Sequence, residues 1–380
     1  MTKRQFLNIE INNFTLPELL AKTDDLEKPI LIVTPNVDHL IKLKKDAEFL
    51  KIYRIADYVI CDSKIIQFTM SLLGTPIKEK ISGSDLFPAF YNYHQDNHNL
   101  KIFLLGGMEG VAKQAQIKVN EKVGRDIVVG ALSPSFGFES NEKECSEIID
   151  EINGSGANVL AIGVGAPKQE KWIFKHRHLL PKIKIYLPIG ATIDFEAGQT
   201  SRSPKWMSNV GLEWLYRLLA EPRRLWKRYL VDSLPFFSDV WKYRSQQYQC
   251  DPLVELKSQP LGLLLYNAGL ISAQDLETII ETQKAENYTI RFGQIAQNMG
   301  LVSGATTAFF AEQLPNILEK RMVLSLIEYL QIAHLLTPSQ IDELPIDKID
   351  SEIAKSIVEH KYLSQKTVQW FMNLISLIRA

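Results

Sequence analysis

Thr34 and Asn36 flank Pro35 directly after the apolar run Ile30-Leu-Ile-Val33. Proline sets the turn and aims both short polar side chains beyond the strand. They could bind a sugar or a diphosphate, or Asn36 could simply cap the next helix. Asp62 stands in the same relation to the run Tyr58-Val-Ile60. A lone carboxylate at a strand's carboxyl end suits a general base reaching for a hydroxyl proton. Capping by Asp62 or Ser63 is the alternative. Ser82-Gly-Ser-Asp85 and Leu105-Gly106-Gly107-Met-Glu-Gly110 are glycine-bearing turns before helical stretches, able to offer backbone N–H groups to phosphate oxygens. The second is a degenerate dinucleotide fingerprint without a convincing ribose-binding acid, which argues against a nicotinamide enzyme. Gly163-Val-Gly165-Ala-Pro-Lys-Gln169-Glu170 joins close backbone approach to a helix start, where anions bind. Gly190-Ala-Thr-Ile-Asp194 forms a similar edge, and either could be an ordinary tight turn. No D-x-D pair occurs and the histidines show no ligand spacing, so neither metal nor cofactor is expected. Backbone dipoles and cationic side chains would then stabilise a leaving diphosphate.

These residues need a scaffold that gathers strand ends. Six short apolar runs read as buried strands: the two above, Ile102-Phe-Leu-Leu105, Ile127-Val-Val129, Val159-Leu-Ala-Ile162 and Ile185-Tyr-Leu187. Helical stretches at 38–55, 109–123 and 141–152 alternate with them. The pattern predicts an α/β domain over residues 1–201, a Rossmann-like parallel sheet with helices on both faces. Ligands of such sheets sit beyond the carboxyl strand ends, where the candidate residues fall.

Residues 202–245 are expected to form a basic aromatic helical appendage, broken at Pro222 and Pro235. Residues 202–244 carry nine basic and four acidic side chains. Arg223, Arg224, Lys227 and Arg228 interleave with Leu225, Trp226, Tyr229 and Leu230, a pattern suited to anionic lipid headgroups or a diphosphate. A core-packed helix with a solvated charged face is the plainer alternative. Residues 246–259 are expected to be a linker. Residues 260–380 repeat one phrase: Gly269-Leu-Ile-Ser272, Gly300-Leu-Val-Ser303, His334-Leu-Leu-Thr337 and Lys361-Tyr-Leu-Ser364. Each Ser or Thr is placed to cap a helix, predicting a small all-α repeat domain.

The formal net charge of −1 points to no nucleic-acid partner. The three cysteines are far apart, which fits a reducing cytoplasm. No apolar run approaches the ~18 residues of a membrane span, so any membrane contact is expected to be peripheral.

Together the motifs resemble the WecG/TagA/CpsF glycosyltransferases. The resemblance covers residues 31–237: Thr34-x-Asn36, Asp62, Gly83-x-Asp85, Leu104-Leu-Gly-Gly107, Gly163-x-Gly-x-Pro-Lys-Gln-Glu170, Gly190-Ala-Thr-x-Asp-Phe195, Arg202-x-Pro-x-Trp206, Gly211-Leu-Glu-Trp-Leu-Tyr-Arg217 and Glu221-Pro-x-Arg224. It implies an inverting, metal-independent hexosyltransferase. The donor would be UDP-linked N-acetylmannosamine or a related sugar, and the acceptor a sugar on polyprenyl diphosphate, at the inner face of the plasma membrane. Asp62 would be the base, with Thr34 and Asn36 beside it and Gln169 in the donor pocket. Lys80 takes the place of a family arginine and keeps its charge. Arg217, Arg224 and Lys227, with Arg228, would hold the lipid diphosphate. Ser63-Lys64 stands where the family usually has glycine, and these departures keep open an alternative: a regulatory binding protein with a disabled transferase domain. A homo-oligomer fits either reading. The tail is loosely similar to the amino-terminal domain of type II secretion and pilus ATPases, which would imply a cyclic di-GMP or protein partner there.

Overall fold

The computed structural model describes residues 3–25, 27–200, 202–204, 207, 212–220 and 222–379. The chain divides into two compact units, 1–250 and 251–380.

Six parallel strands form the sheet of the first unit: β3 (Ile30–Val33), β4 (Tyr58–Val59), β5 (Ile102–Gly106), β6 (Val128–Leu132), β7 (Val159–Gly163) and β8 (Ile185–Pro188). Their order is β4-β3-β8-β7-β5-β6. Each expected apolar run supplies one strand, because burial on both faces demands nearly continuous Val, Ile and Leu. The helices that flank the sheet close a core around Leu104, Ala161, Leu187, Phe87, Phe90 and Val119. The last two strands insert between β3 and β5, which leaves a crevice at the carboxyl ends of neighbouring strands that diverge.

Two details differ from expectation. The helical stretch 38–55 is two helices, Val37–Leu43 and Ala47–Ile55, because Asp46 caps the second by accepting from the Phe49 N–H at 3.0 Å. A hairpin of β1 (Lys3–Phe6) and β2 (Ile9–Asn12) precedes the sheet. Its Leu7-Asn8 turn has no glycine, yet Leu7 sits at φ +51, so the usual hairpin signal is missing. Buried Asn12 accepts from the Val59 N–H at 2.8 Å and ties the hairpin to β4.

The appendage belongs to the first unit as three helices, Glu213–Ala220, Pro222–Leu230 and Leu234–Arg244, with Pro222 and Pro235 in the first turns of the second and third. Buried Asp239 accepts from Lys44 Nζ at 2.6 Å, and the Tyr243 hydroxyl donates to the Gln5 carbonyl at 3.2 Å.

The second unit is helical throughout, around Leu265, Phe309, Phe310, Tyr329 and Phe371. Within the stretch expected as a linker, Pro252–Lys257 is a helix that packs Leu253 and Leu256 onto this core. The repeated phrase is a helix stop followed by a helix start. Gly269, Gly300, His334 and Lys361 all have positive φ. Ser272, Ser303, Thr337 and Ser364 then accept from the N–H three residues on. Gly262 and Gly293, equivalent in the first two copies, each leave no room for a Cβ against the facing helix.

Glycine spacing at the sheet's carboxyl edge is equally strict. Gly106 pairs with Gly163 across β5 and β7; its φ is +143, and a Cβ there would lie 2.5 Å from the Gly163 carbonyl oxygen. Gly106→Ala is therefore expected to cost about 2–4 kcal/mol in denaturant unfolding. A loss below about 1 kcal/mol would show that the strands can part there.

Candidate active site

Backbone hydrogen bonds draw three loops together at the carboxyl ends of β3 and β4. The Asp62 N–H donates to the Pro35 carbonyl at 2.9 Å, and the Ile81 N–H donates to the Cys61 carbonyl at 2.9 Å. Asn36 does cap the next helix, accepting from the His39 N–H at 3.2 Å. Ser63, not Asp62, caps the helix Lys64–Leu72. Asp62 is thereby spared that duty and stands half-buried between two cavities.

The larger cavity has a volume of about 910 Å³. Thr34, Asn36, Asp62, Gly107, Gly163, Gly165, Gln169 and Asp194 all line it, as do Gly83 and Ser84. The smaller, of about 300 Å³, is walled by Lys64, Lys80, Trp214, Phe236 and Phe237. Asn36, Asp62 and Tyr229 line both. Most of the expected site residues thus converge.

Four expected residues sit elsewhere. Gly106 is a spacer between strands and lines neither cavity. Asp85 lines neither; it accepts from Ser82 Oγ at 2.6 Å and Lys80 Nζ at 2.9 Å, and also from Arg202. Burial works to raise the Asp85 carboxyl, but these hydrogen bonds and the Lys80 charge hold it well below the usual carboxylate range. Burial works to lower Lys80, and the Asp85 bond and charge, then Asp62 and Glu213, raise it instead. Lys80 is a locked cation facing the smaller cavity rather than the larger. Lys227 is exposed and lines neither cavity. The side chains of Arg217, Arg224 and Arg228, and all of Trp206, Gly211 and Glu221, lie outside the described residues.

Several lining residues escaped the sequence reading. The appendage contributes side chains interspersed with its cations: Leu225 and Tyr229 to the larger cavity, and Glu213, Trp214 and Tyr229 to the smaller. The loop at 134–139 forms another wall. There Lys168 ion-pairs with Glu139 and lies 4.9 Å over the ring of fully exposed Phe136. His39 lines the larger cavity, with Nδ1 2.8 Å from the Tyr53 hydroxyl. Its signal was its place, three residues after the capping Asn36.

Beneath the cavity, buried Gln169 accepts through Oε1 from the Gly165 N–H at 3.3 Å and the Gly190 N–H at 3.2 Å. Its Nε2 donates to Glu170 Oε1 at 2.9 Å. Burial pushes the Glu170 carboxyl up to about 7, although the Gln169 bond, the helix backbone and the Lys42 charge all pull the other way. The Tyr53 hydroxyl is pushed well up by burial and by the negative charges of Glu170, Asp62 and Asp38. Among the described residues, no group of three His, Cys, Asp or Glu is disposed to hold a metal. Likewise no described helix is long and apolar enough to cross a membrane.

Residues 4–250 match the glycosyl transferase WecG/TagA/CpsF family. The chain is also 28% identical, over 231 residues, to an N-acetylglucosaminyldiphosphoundecaprenol N-acetyl-beta-D-mannosaminyltransferase of Bacillus spizizenii. That alignment covers 60% of this chain and 85% of the relative.

Glu170 carries a pH signature. Its folded carboxyl keeps a proton up to about 7, while an unfolded one loses it near the ordinary 4.5. Between those values the native state binds the extra proton, so stability falls as pH rises through the window. Glu170→Gln has no such proton to lose. Its stability relative to wild type should improve by about 1–3 kcal/mol from about pH 5 to about pH 8, read by thermal melts. A difference that stays flat with pH would contradict the burial argument.

Proposed function

Because the chain belongs to the glycosyl transferase WecG/TagA/CpsF family, we propose that it moves an N-acetylmannosamine-type sugar from UDP to a sugar on polyprenyl diphosphate. One observation carries the reading: two cavities meet at Asp62. A volume of about 910 Å³ suits a nucleotide sugar, at the upper end of the usual range of ligand sites. The smaller cavity, walled by aromatics beside Lys64 and Lys80, suits the acceptor sugar and its diphosphate. The carboxylate between them has access to both substrates.

Asp62 takes the proton of the acceptor hydroxyl as that oxygen attacks the anomeric carbon. The bond from that carbon to UDP breaks on the opposite side, so the configuration inverts. Lys168 and the first-turn N–H groups of the helix Gly83–Tyr93 offer positive charge to the departing diphosphate. No metal is called for in this scheme. Ser63 and Lys80, which depart from the usual family residues, both have structural work here, as a helix cap and as the partner of Asp85. That favours a working site over a disabled one.

The membrane side of the reading rests on an exposed apolar surface. The helices Lys64–Leu72 and Leu234–Arg244 both begin at the smaller cavity, and their other ends, Leu72 and Arg244, line one open groove. Phe68, Leu72, Leu234, Phe237 and Trp241 are exposed along them, with Lys242 and Arg244 nearby. Apolar residues beside cations suit the interface of an anionic bilayer, where a lipid-linked acceptor would be presented.

Asp62→Asn should keep the melting temperature and lower transfer by at least about 10²-fold, with products read by mass from UDP-N-acetylmannosamine and a short-chain polyprenyl-diphosphate N-acetylglucosamine. A fully active Asn variant would remove Asp62 as the base. Phe237→Ser with Trp241→Ser should weaken co-sedimentation with anionic vesicles by about tenfold or more, since each ring buries about 2 kcal/mol of apolar surface. Undiminished binding would place the membrane contact elsewhere.

A further inference from the structure

The Gln169–Glu170 pair does something the transfer chemistry alone does not require. Gly165 follows β7 and Gly190 follows β8, so Gln169 Oε1 bridges the loops of two adjacent strands. Both loops line the larger cavity. A carboxamide has two acceptor sites and two donors. The two acceptor sites serve the loops, and one donor serves Glu170.

Glu170 makes little sense as a source of stability. It is 1% exposed, and its Oε2 has no hydrogen-bond partner among the described residues. A buried carboxyl with one oxygen unsatisfied costs free energy that an apolar side chain of similar length would not. What it supplies is an acceptor for the buried Gln169 amide. Without that acceptor, Nε2 would have to turn toward water in the cavity, and Oε1 would swing off the two N–H groups.

We propose that Glu170 is a positioning residue: by anchoring the Gln169 carboxamide it keeps the Gly165 and Gly190 loops fastened together as one wall of the nucleotide-sugar cavity. The proposal rests on reading that cavity as the donor site. Glu170 touches no substrate itself and acts through Gln169.

Two measurements on the full chain separate the proposal from that reading. Amide hydrogen exchange over residues 163–166 and 188–192 follows the fastening with no ligand present. Calorimetry with UDP follows the cavity's use. In Glu170→Met, exchange at Gly165 and Gly190 should speed up about tenfold or more, and UDP affinity should fall about tenfold, the worth of roughly one hydrogen bond. Glu170→Gln, which keeps an acceptor oxygen, should restore both. The double variant Gln169→Ala/Glu170→Met should bind UDP no more weakly than Gln169→Ala alone. Glu170→Leu is the second apolar replacement should the Met variant not fold. Unchanged exchange in the apolar variant, or losses that multiply in the double variant, would overturn the proposal. Wild-type protein that ignores UDP would overturn the donor reading, and the exchange result would still decide the role of Glu170.

Discussion

At the carboxyl edge of the sheet, β5, β7 and β8 approach so closely that no side chain fits between them. A Cβ on Gly106 would meet the Gly163 carbonyl, and a Cβ on Gly163 would lie 2.4 Å from the Gly190 carbonyl oxygen. Backbone therefore fills the place where side chains would otherwise close the crevice. The loops leaving these strands line the larger cavity. Gln169 stitches two of those loops together from below, and the hydrogen bonds of Asp62 and Ile81 stitch the other side. These hydrogen bonds tie the loops on both sides of Asp62 to the sheet.

The appendage completes the site from the opposite direction. Tyr229 lines both cavities, while Trp214, Phe236 and Phe237 enclose the smaller one. It is held down by the ion pair of Lys44 with buried Asp239 and by the packing of Phe6 on Phe236 and Tyr243. Several of its other apolar side chains, among them Trp226, Leu230, Leu234 and Trp241, are exposed. One short segment thus serves as a wall toward the sheet and as a candidate bilayer contact on its outer surface. The family match ends at residue 250, so the helical unit 251–380 lies outside it. Its repeated stops and caps explain how it folds.

Much of this was legible in the residues. Six apolar runs became six strands, because double-sided burial leaves a continuous hydrophobic signature. Residues immediately after those runs became the cavity lining, because parallel topology brings strand ends together. The repeated Ser and Thr caps were legible for the same local reason. Less legible was anything set by long-range pairing. Nothing local announced that Asp85 pairs with Lys80 and Arg202. Nor did spacing alone show that Leu225 and Tyr229 line the larger cavity while Lys227, between them, is exposed. The β1–β2 hairpin lacked a glycine turn. Within 246–259 the polar composition masked a short helix whose two leucines anchor it.

If Asp62 activates the acceptor from one cavity while the donor lies in the other, the sugar is transferred in a single displacement that inverts its configuration. The most direct measurement is the anomeric configuration of the transferred sugar, by proton NMR of the product made from an α-linked UDP donor. A β-linkage, the inverted configuration, is expected. An α-linked product would mean retention, by a covalent or front-face route, and would remove Asp62 as the base of a single displacement.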